Sequence, residues 1–521
     1  MTTPNATAEV GLSGGTTVYN LFLGAARMTP DAVALREQGR ETTYATLRER
    51  TLRLAAAFKA LGLEKGDRIA LLSENRAEYI EVQLAAGCLG LIVACQNWRQ
   101  STSELEHCIR LVSPELVIVS ERFRAAYEAT GIDIRFWTLE QTYQDVLRDA
   151  APLTERPVVE SEAGLIILYT SGTTGLPKGA LISHRAEIAR MAIGRMDLGI
   201  TRDDGFIAWA PMFHMGSTDQ MLATLMSGGI VHIVDGFQAR QIVEAMRDYP
   251  LGWHLLMPGA IEPIVEILKA ETIKVKRIRA IGAMIDLVPR ALAIELSSLS
   301  ETPYLNSFGS TETGLPPASG RLMWPNELTG SLSKWPNSMI DLKLVDEAGN
   351  EVPDGEPGEM SVRGPTLFSG YWNAPETNRR DFAGGRFRMG DMFIRNADGS
   401  FDFVDRVKYM IKSGGENIYP AEIERVLLAD SRIRDAVIVR KPDARWGEVP
   451  VALIARHTND LKVEDVDALC RRALAGYKRP REVHFVAFED LPRSTTGKIV
   501  RHEAEKMLTR FSEHQGRRLD T

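Results

Sequence analysis

The chain has no excess of basic charge: Lys plus Arg number 62 against 69 for Asp plus Glu, giving a formal net charge of -7 and a pI near 5.9. No basic excess exists to neutralise a phosphate backbone, so nucleic acid is not expected as a partner. Cysteine is scarce. Cys88, Cys95, Cys108 and Cys470 are too few to staple 521 residues and lack metal-ligand spacing, so they read as reduced thiols of a cytosolic protein. Long apolar runs are missing too. The least polar stretch, Glu81 to Arg99, is interrupted by Gln83, Gln96 and Asn97. It falls short of the ~20 apolar residues of a spanning helix and reads as buried core, without integral membrane association. Met1 to Asn20 has neither a Lys or Arg nor an apolar centre, the first basic residue being Arg27, so no secretory or transit signal is expected and a cytoplasmic location is. There is no internal repeat, no low-complexity tract, no zinc-spaced His/Cys set and no Gly-x-Ser-x-Gly elbow of a serine hydrolase.

What is present is an ordinary globular composition, 44% hydrophobic and 25% charged, in a chain long enough for about three or four domain-sized units. From about residue 66 to 310, short β-branched runs alternate with helical periods: Arg68 to Leu72 before Ala77 to Leu89, Leu165 to Tyr169 before Arg185 to Met196, Phe206 to Trp209 before Gln220 to Met226. A strand at Arg277 to Ile281, a helix from near Pro289 and a strand at Tyr304 to Phe308 follow. Such alternation predicts mainly parallel sheets covered by helices, an α/β fold. Between Asp341 and Arg363 the pattern becomes hairpin-like and predicts a small antiparallel unit. Beyond Asp405, a helix opening at Pro420, strands near Ala436 to Val439 and Val451 to Ile454, and a helix from Val463 to Leu474 predict a compact α+β domain.

Directly after the strand ending at Tyr169 comes Thr170-Ser-Gly-Thr-Thr-Gly-Leu-Pro-Lys-Gly179, with four hydroxyls, three glycines and one lysine. Glycines allow backbone N–H groups to converge, hydroxyls donate, and Lys178 adds a point charge: an anion cradle. It is not the Walker loop. Two residues, not four, separate Gly172 from Gly175, and Gly179 rather than Ser or Thr follows Lys178, which disfavours P-loop kinases and ATPases.

This run resembles the phosphate loop of the adenylate-forming superfamily, which includes acyl-CoA synthetases and peptide-synthetase adenylation domains. Five further motifs follow in that family's order: Asn306-Ser-Phe-Gly-Ser-Thr-Glu312, Arg388-Met-Gly-Asp391, Asp405-Arg-Val-Lys408, Ser413-Gly-Gly-Glu-Asn417 and Pro492-Arg-Ser-Thr-Thr-Gly-Lys498. The resemblance implies a large N-terminal adenylation domain over 1–404, a hinge over 405–409 and a mobile α+β lid over 410–521. It implies nucleotide binding by Thr170, Ser171, Gly172, Thr173, Thr174, Gly175, Lys178, Ala283, Ser307, Phe308, Gly309, Thr311, Asp391 and Arg406. Thr170 and Glu312 would hold Mg2+, the latter as a hard carboxylate donor. Lys498 would stabilise charge at the carboxylate and α-phosphate, and Lys408 would absorb the lid rotation.

His214 would line the acyl pocket and move aside as acid enters, with Trp209, Met215, Met257, Gly282, Met284 and Gly309 as further walls. Ser413, Gly414, Gly415 and Glu416 would receive coenzyme A. Departures from the family pattern are Phe308 for the frequent Tyr, Met389 for Thr, Asp405 for Gly and Tyr409 for Asp. The segments expected to wall the acyl pocket lack Lys or Arg to pair a second carboxylate, so a neutral-tailed fatty, cyclic or aromatic acid is expected.

The implied activity is an AMP-forming acyl-CoA ligase, with ATP, CoA and a small carboxylic acid as substrates and a monomer or homodimer as assembly. Two alternatives are a stand-alone enzyme loading an acyl carrier protein and a catalytically silent nucleotide-binding regulator. The absence of a carrier segment after Thr521 disfavours a modular assembly-line protein, and the complete motif set disfavours the regulator.

Overall fold

The computed structural model describes residues 15–170, 176–285, 288–414, 416–493, 499–511 and 517–518. One six-stranded sheet runs in the order Phe136–Thr138, Leu116–Val119, Arg68–Leu72, Ile92–Cys95, Gly164–Thr170, Lys178–Ser183. All its pairs are parallel except the last. Leu116–Val119 and Ile92–Cys95 are buried throughout, as expected of strands covered by helices on both faces. The helix Ala77–Leu89 is buried from Glu78 onward and ends at Gly90 in a left-handed conformation, φ 76°. Its Glu81 is held by Arg50 (Nε–Oε1 2.5 Å) and accepts from the Tyr143 hydroxyl at 2.6 Å, which is how a carboxylate survives in this core. Glu81 to Gln96 are buried, whereas Asn97 and Trp98 are half-buried and Arg99 is exposed. Among the described residues no helix is long and apolar enough to cross a membrane.

A second sheet, ordered Arg40–Thr43, Val33–Glu37, Val231–Ile233, Phe206–Ala208, meets a third of Leu251–Leu255, Ile278–Gly282, Tyr304–Leu305 and Leu322–Met323 through a bridge between Gly205 and Leu251. The antiparallel unit is built from Asp341–Val345, Pro357–Arg363, Phe382–Ala383, Arg386–Arg395 and Phe401–Arg406. The C-terminal residues form a separate core, where Ile433–Asp443 pairs with Gly447–Arg456 and Ile423, Leu427 and Val466 pack beneath.

Three differences from the sequence reading bear on the site. The sequence reading has no strand between the run at 170–179 and the following helix, yet Lys178–Ser183 returns antiparallel beside Gly164–Thr170 before the helix His184–Leu198 begins. The strand expected to Phe308 stops at Leu305, because Ser307 N–H bonds back to Leu305 O and the Asn306 amide turns the chain by bonding Ile285 N–H and Leu332 O. The helix expected from Gln220 starts at Met215. Its first turn, rich in Gly, Ser and Thr, is stabilised by Ser217 and Thr218 hydroxyls donating to Ala210 O and Met212 O.

Candidate active site

Thr170 and Lys178 face each other across the mouth of the hairpin. The intervening Ser171, Gly172, Thr173, Thr174 and Gly175 lie outside the described residues. The Lys178 ammonium sits 3.8 Å from the Tyr371 ring centroid and 4.0 Å from Asp381 Oδ2. Burial lowers its pKa from the ordinary lysine value, opposed by Asp381 and Glu312, while Arg380 and Lys408 are near enough to press the same way as burial.

Glu312 lies in a turn between Gly309–Ser310 and Gly314–Pro317. Thr313 locks that turn, its hydroxyl accepting from Ser310 N–H at 3.0 Å and donating to Pro316 O at 2.6 Å. Gly309 admits no side chain: a Cβ there would stand 2.0 Å from Gly314 O. The Tyr371 hydroxyl donates to Glu312 Oε1 at 2.7 Å, and burial, with the negative charge of Glu312, pushes that phenol well above its usual pKa. Beneath, the buried Arg190 donates to Thr311 O and Thr366 O, each at 3.1 Å, and to Asp219 Oδ2 at 3.0 Å. It ties the Glu312 turn to the segment leading to Tyr371. Glu187 beside it is pushed to a raised pKa by burial and by Asp219.

Asp391 and Arg406 are register partners on adjacent strands, Nε 2.9 Å from Oδ1 and Nη2 3.2 Å from Oδ2. The Arg406 fork thus holds the Asp391 carboxylate by two bonds. Phe308 is buried, edge-on to Phe393 at 4.7 Å and 6.0 Å from Phe403. Ala283 N–H donates to the Tyr304 hydroxyl, and the Tyr304 ring covers Gly282 so closely that a Cβ would lie 2.5 Å from it.

His214 caps the helix Met215–Ser227, its Nδ1 accepting from Gly216 N–H at 3.2 Å. Trp209 is buried, donating from Nε1 to Leu255 O at 2.9 Å, and Met257 precedes the helix Pro258–Glu271. Met215 and Met284 are half-buried against the main core. Sequence reading missed Asn75, whose side-chain amide reaches Ala208 O, Ala210 O and Val234 O and accepts from Met212 N–H at 2.8 Å, fixing the loop that carries Trp209 and His214. It also missed Tyr371 and Asp381.

The chain leaves Arg406 through a 3-10 turn, Val407–Tyr409, where the Lys408 ammonium lies 4.9 Å from the Tyr409 ring. Asp405 accepts from Arg406 N–H at 2.6 Å and from Ala421 N–H at 2.7 Å, capping the helix Pro420–Leu427, and burial pushes its carboxyl up to about 6. Ser413 is buried and pairs with Glu416, which is exposed; Gly414, φ 60°, donates to Trp446 O under the Trp446 ring. Gly415 and Lys498 lie outside the described residues.

The donor chemistry of Thr170 and Glu312, one hydroxyl and one carboxylate, fits a magnesium ion that keeps water and substrate phosphate oxygens for its other positions. Among the described residues no group of three His, Cys, Asp or Glu could hold a metal.

An α/β body whose Thr170–Lys178 hairpin mouth meets Tyr371 and the Glu312 turn, with a second α+β unit beyond the Val407–Tyr409 turn, is the architecture of an adenylate-forming enzyme. Residues 22–372 match the AMP-binding enzyme family and residues 422–498 match the AMP-binding enzyme C-terminal domain. The chain belongs to the AMP-binding enzyme family and is an acid–thiol ligase. It is similar to a feruloyl-CoA synthase of Amycolatopsis sp, 31% identical with 92% of this chain and 97% of the relative covered. An indoleacetate–CoA ligase of Aromatoleum aromaticum is 31% identical, with 93% and 97% covered. Among solved structures, the o-succinylbenzoate CoA synthetase of Bacillus subtilis with ATP and magnesium ion aligns at TM-score 0.81 and 26% identity, covering 93% of this chain and 98% of that one. An anthranilate CoA ligase holding anthranoyl-AMP shares the fold at TM-score 0.85 and 23% identity, with 94% and 97% covered.

Proposed function

We propose that the protein is an AMP-forming ligase that activates an aromatic or cyclic carboxylic acid with a neutral tail and transfers it to coenzyme A. The observation that carries this reading is the convergence of Lys178, Tyr371 and Glu312, with the Asp391–Arg406 pair on the neighbouring sheet. The relatives named for ferulate and indoleacetate supply the acid class.

A carboxylate is a poor electrophile. Attack of its oxygen on the α-phosphorus of ATP forms the new P–O bond and expels pyrophosphate, leaving an acyl adenylate; attack of the CoA thiol on the acyl carbon then expels AMP. Lys178 and the hydroxyls of the loop hold the polyphosphate, and Asp391 receives the ribose hydroxyls. Thr170 and Glu312 would hold Mg2+, which when bound neutralises charge on the phosphate oxygens. Trp209, His214, Met215, Met257, Gly282, Met284 and Gly309 bound the acyl chamber. Residues 405–409 act as the hinge, so that the segment 410–521 presents Lys498 for the first step and the Ser413 to Glu416 loop for the second while excluding water from a hydrolysable intermediate.

Incubation with ATP, CoA and a panel of aryl, arylacetic, alicyclic and medium-chain acids tests this. AMP, pyrophosphate and an aryl or cyclic thioester are expected. ADP would overturn the scheme, acyl-AMP unresponsive to CoA would point to carrier loading, and preferred turnover of a linear fatty acid would overturn the acid class.

A further inference from the structure

We propose that Tyr371 is a positioning residue that couples the phosphate-loop lysine to the metal-binding carboxylate, setting Lys178 and Glu312 at the separation that a metal–triphosphate needs. The proposal rests on the reading of Glu312 as a magnesium ligand.

The geometry is specific. One tyrosine uses both of its faces of chemistry at once: the hydroxyl donates to Glu312 Oε1 at 2.7 Å, and the ring face lies under the Lys178 ammonium at 3.8 Å. The donated bond uses one of the ~four lone-pair positions of the carboxylate and fixes its plane, leaving the others to face a cation. The ammonium on the π face is held by a weak, desolvated attraction that an incoming phosphate can replace.

The main chain is placed with equal care. Residues 369–372 lie along Lys178–Ser183 as an added strand: Ser369 N–H donates to Leu181 O at 2.7 Å, Leu181 N–H to Gly370 O at 3.0 Å, and Trp372 N–H to Gly179 O at 2.8 Å. One residue before that segment, Phe368 N–H donates to Glu312 O at 2.8 Å. Tyr371 is therefore bonded through its backbone neighbours to the strand of Lys178 and to the turn of Glu312. Asn378 clamps its own peptide, accepting from Tyr371 N–H at 2.7 Å and donating to Tyr371 O at 2.8 Å. The Phe368 ring meets the tyrosine ring edge-on at 4.9 Å, so ring position does not depend on the hydroxyl. A tyrosine present only for packing would not need its hydroxyl on the Glu312 carboxylate.

The test is equilibrium binding to the full chain without acid or CoA, so that no turnover occurs. Enzyme-bound Mn2+, standing in for Mg2+, is followed by electron paramagnetic resonance in the presence of ATP, and metal-free ATP binding is followed by calorimetry in EDTA. Tyr371→Phe is expected to weaken Mn2+ binding about 10–100-fold, the usual effect of losing an outer-shell partner, while metal-free ATP binds as in the parent. Tyr371→Leu, which also removes the ring beneath Lys178, is expected to change metal-free ATP binding as well. Thermal melts identify misfolding. Should Tyr371→Phe fail to fold, Asn378→Ala, which loosens the clamp but keeps the phenol, is expected to weaken Mn2+ binding to a smaller degree. Unaltered Mn2+ affinity in Tyr371→Phe, or in Asn378→Ala where that variant stands in, overturns the proposal if Glu312→Gln abolishes binding. Unaltered affinity in Glu312→Gln overturns the metal reading beneath it.

Discussion

Arg406 grips Asp391 through both nitrogens of one edge of its guanidinium, at 2.9 and 3.2 Å, across two neighbouring strands. The pair joins the residue proposed to receive the ribose to the last residue before the Val407–Tyr409 turn, so under the proposed function one contact would serve both the nucleotide and the segment that follows the turn. Asp391 is buried, whereas the Arg406 side chain keeps 42% of its surface exposed, so solvent screening discounts the pair.

Asp391→Asn tests this contact. A neutral amide keeps the shape but loses the charge-assisted bonds to Arg406 and to the ribose, at about 1–2 kcal/mol. The KM for ATP is expected to rise about tenfold, the equivalent of ~1.4 kcal/mol, with the KM for the acid little changed. An unaltered KM for ATP would remove Asp391 from the nucleotide site.

Asp405 makes stability depend on pH just before the Val407–Tyr409 turn. Its folded pKa, raised to about 6 by burial, lies above the ordinary carboxylate value, with Arg501 opposing the rise and Glu424 adding to it. Between pH 4 and 6 the folded state therefore binds more protons than the unfolded one, and this residue's contribution declines as pH rises through that window. The bond from Ala421 N–H survives in Asp405→Asn while the buried charge does not. The substitution is expected to raise the melting temperature relative to the parent at pH 7.5, and to lose that advantage by pH 4. A difference between the two proteins that does not change with pH would contradict the assignment.

Under the proposed function, Asn75 bears on the acid rather than the nucleotide. Removing its amide takes a donor from the buried carbonyls at 208, 210 and 234 and takes from the buried Met212 N–H its acceptor. Ala208 O and Ala210 O keep the bonds from Val234 N–H and the Ser217 hydroxyl, so the main loss is about 1–3 kcal/mol at Met212 N–H. Asn75→Ala is expected to lower kcat/KM for the acid at least tenfold, through the loop bearing Trp209 and His214, while the KM for ATP holds. Steady-state kinetics with each substrate varied in turn separates the two, and an equal effect on both would assign Asn75 to general stability.

The contrast between Lys178 and Tyr371 shows what was legible in the sequence. Lys178 stands in a ten-residue run whose hydroxyls and glycines announce an anion, so composition over a short window suffices. Tyr371 meets Glu312 across 59 positions and Asn75 meets the Trp209 loop across more than a hundred, and neither sits in a run of unusual composition. The parallel sheets were readable because their strands are buried apolar runs. The return strand Lys178–Ser183 was not, because its pairing with Gly164–Thr170 depends on how the loop between them closes. The start of the helix at Met215 was hidden because Gly216, Ser217 and Thr218 read as loop until their hydroxyls find carbonyls at 210 and 212.

Lys498 bears the sharpest expectation, since the proposed scheme gives it one half-reaction and not the other. As an electrostatic donor at the adenylation transition state, its removal should cost about 3–4 kcal/mol, or roughly 10²–10³ in rate. Lys498→Ala is therefore expected to lose pyrophosphate exchange while still converting a supplied acyl adenylate to the thioester. Lys408→Pro should do the reverse: a ring at the turn restricts φ and opposes the rotation that brings the Ser413 loop forward, leaving adenylation largely intact. Single-turnover assays of each half-reaction measure both. If Lys498→Ala loses both halves equally, the lysine does not act at one step, and if Lys408→Pro turns over like the parent, the segment 405–409 is not where the lid rotates.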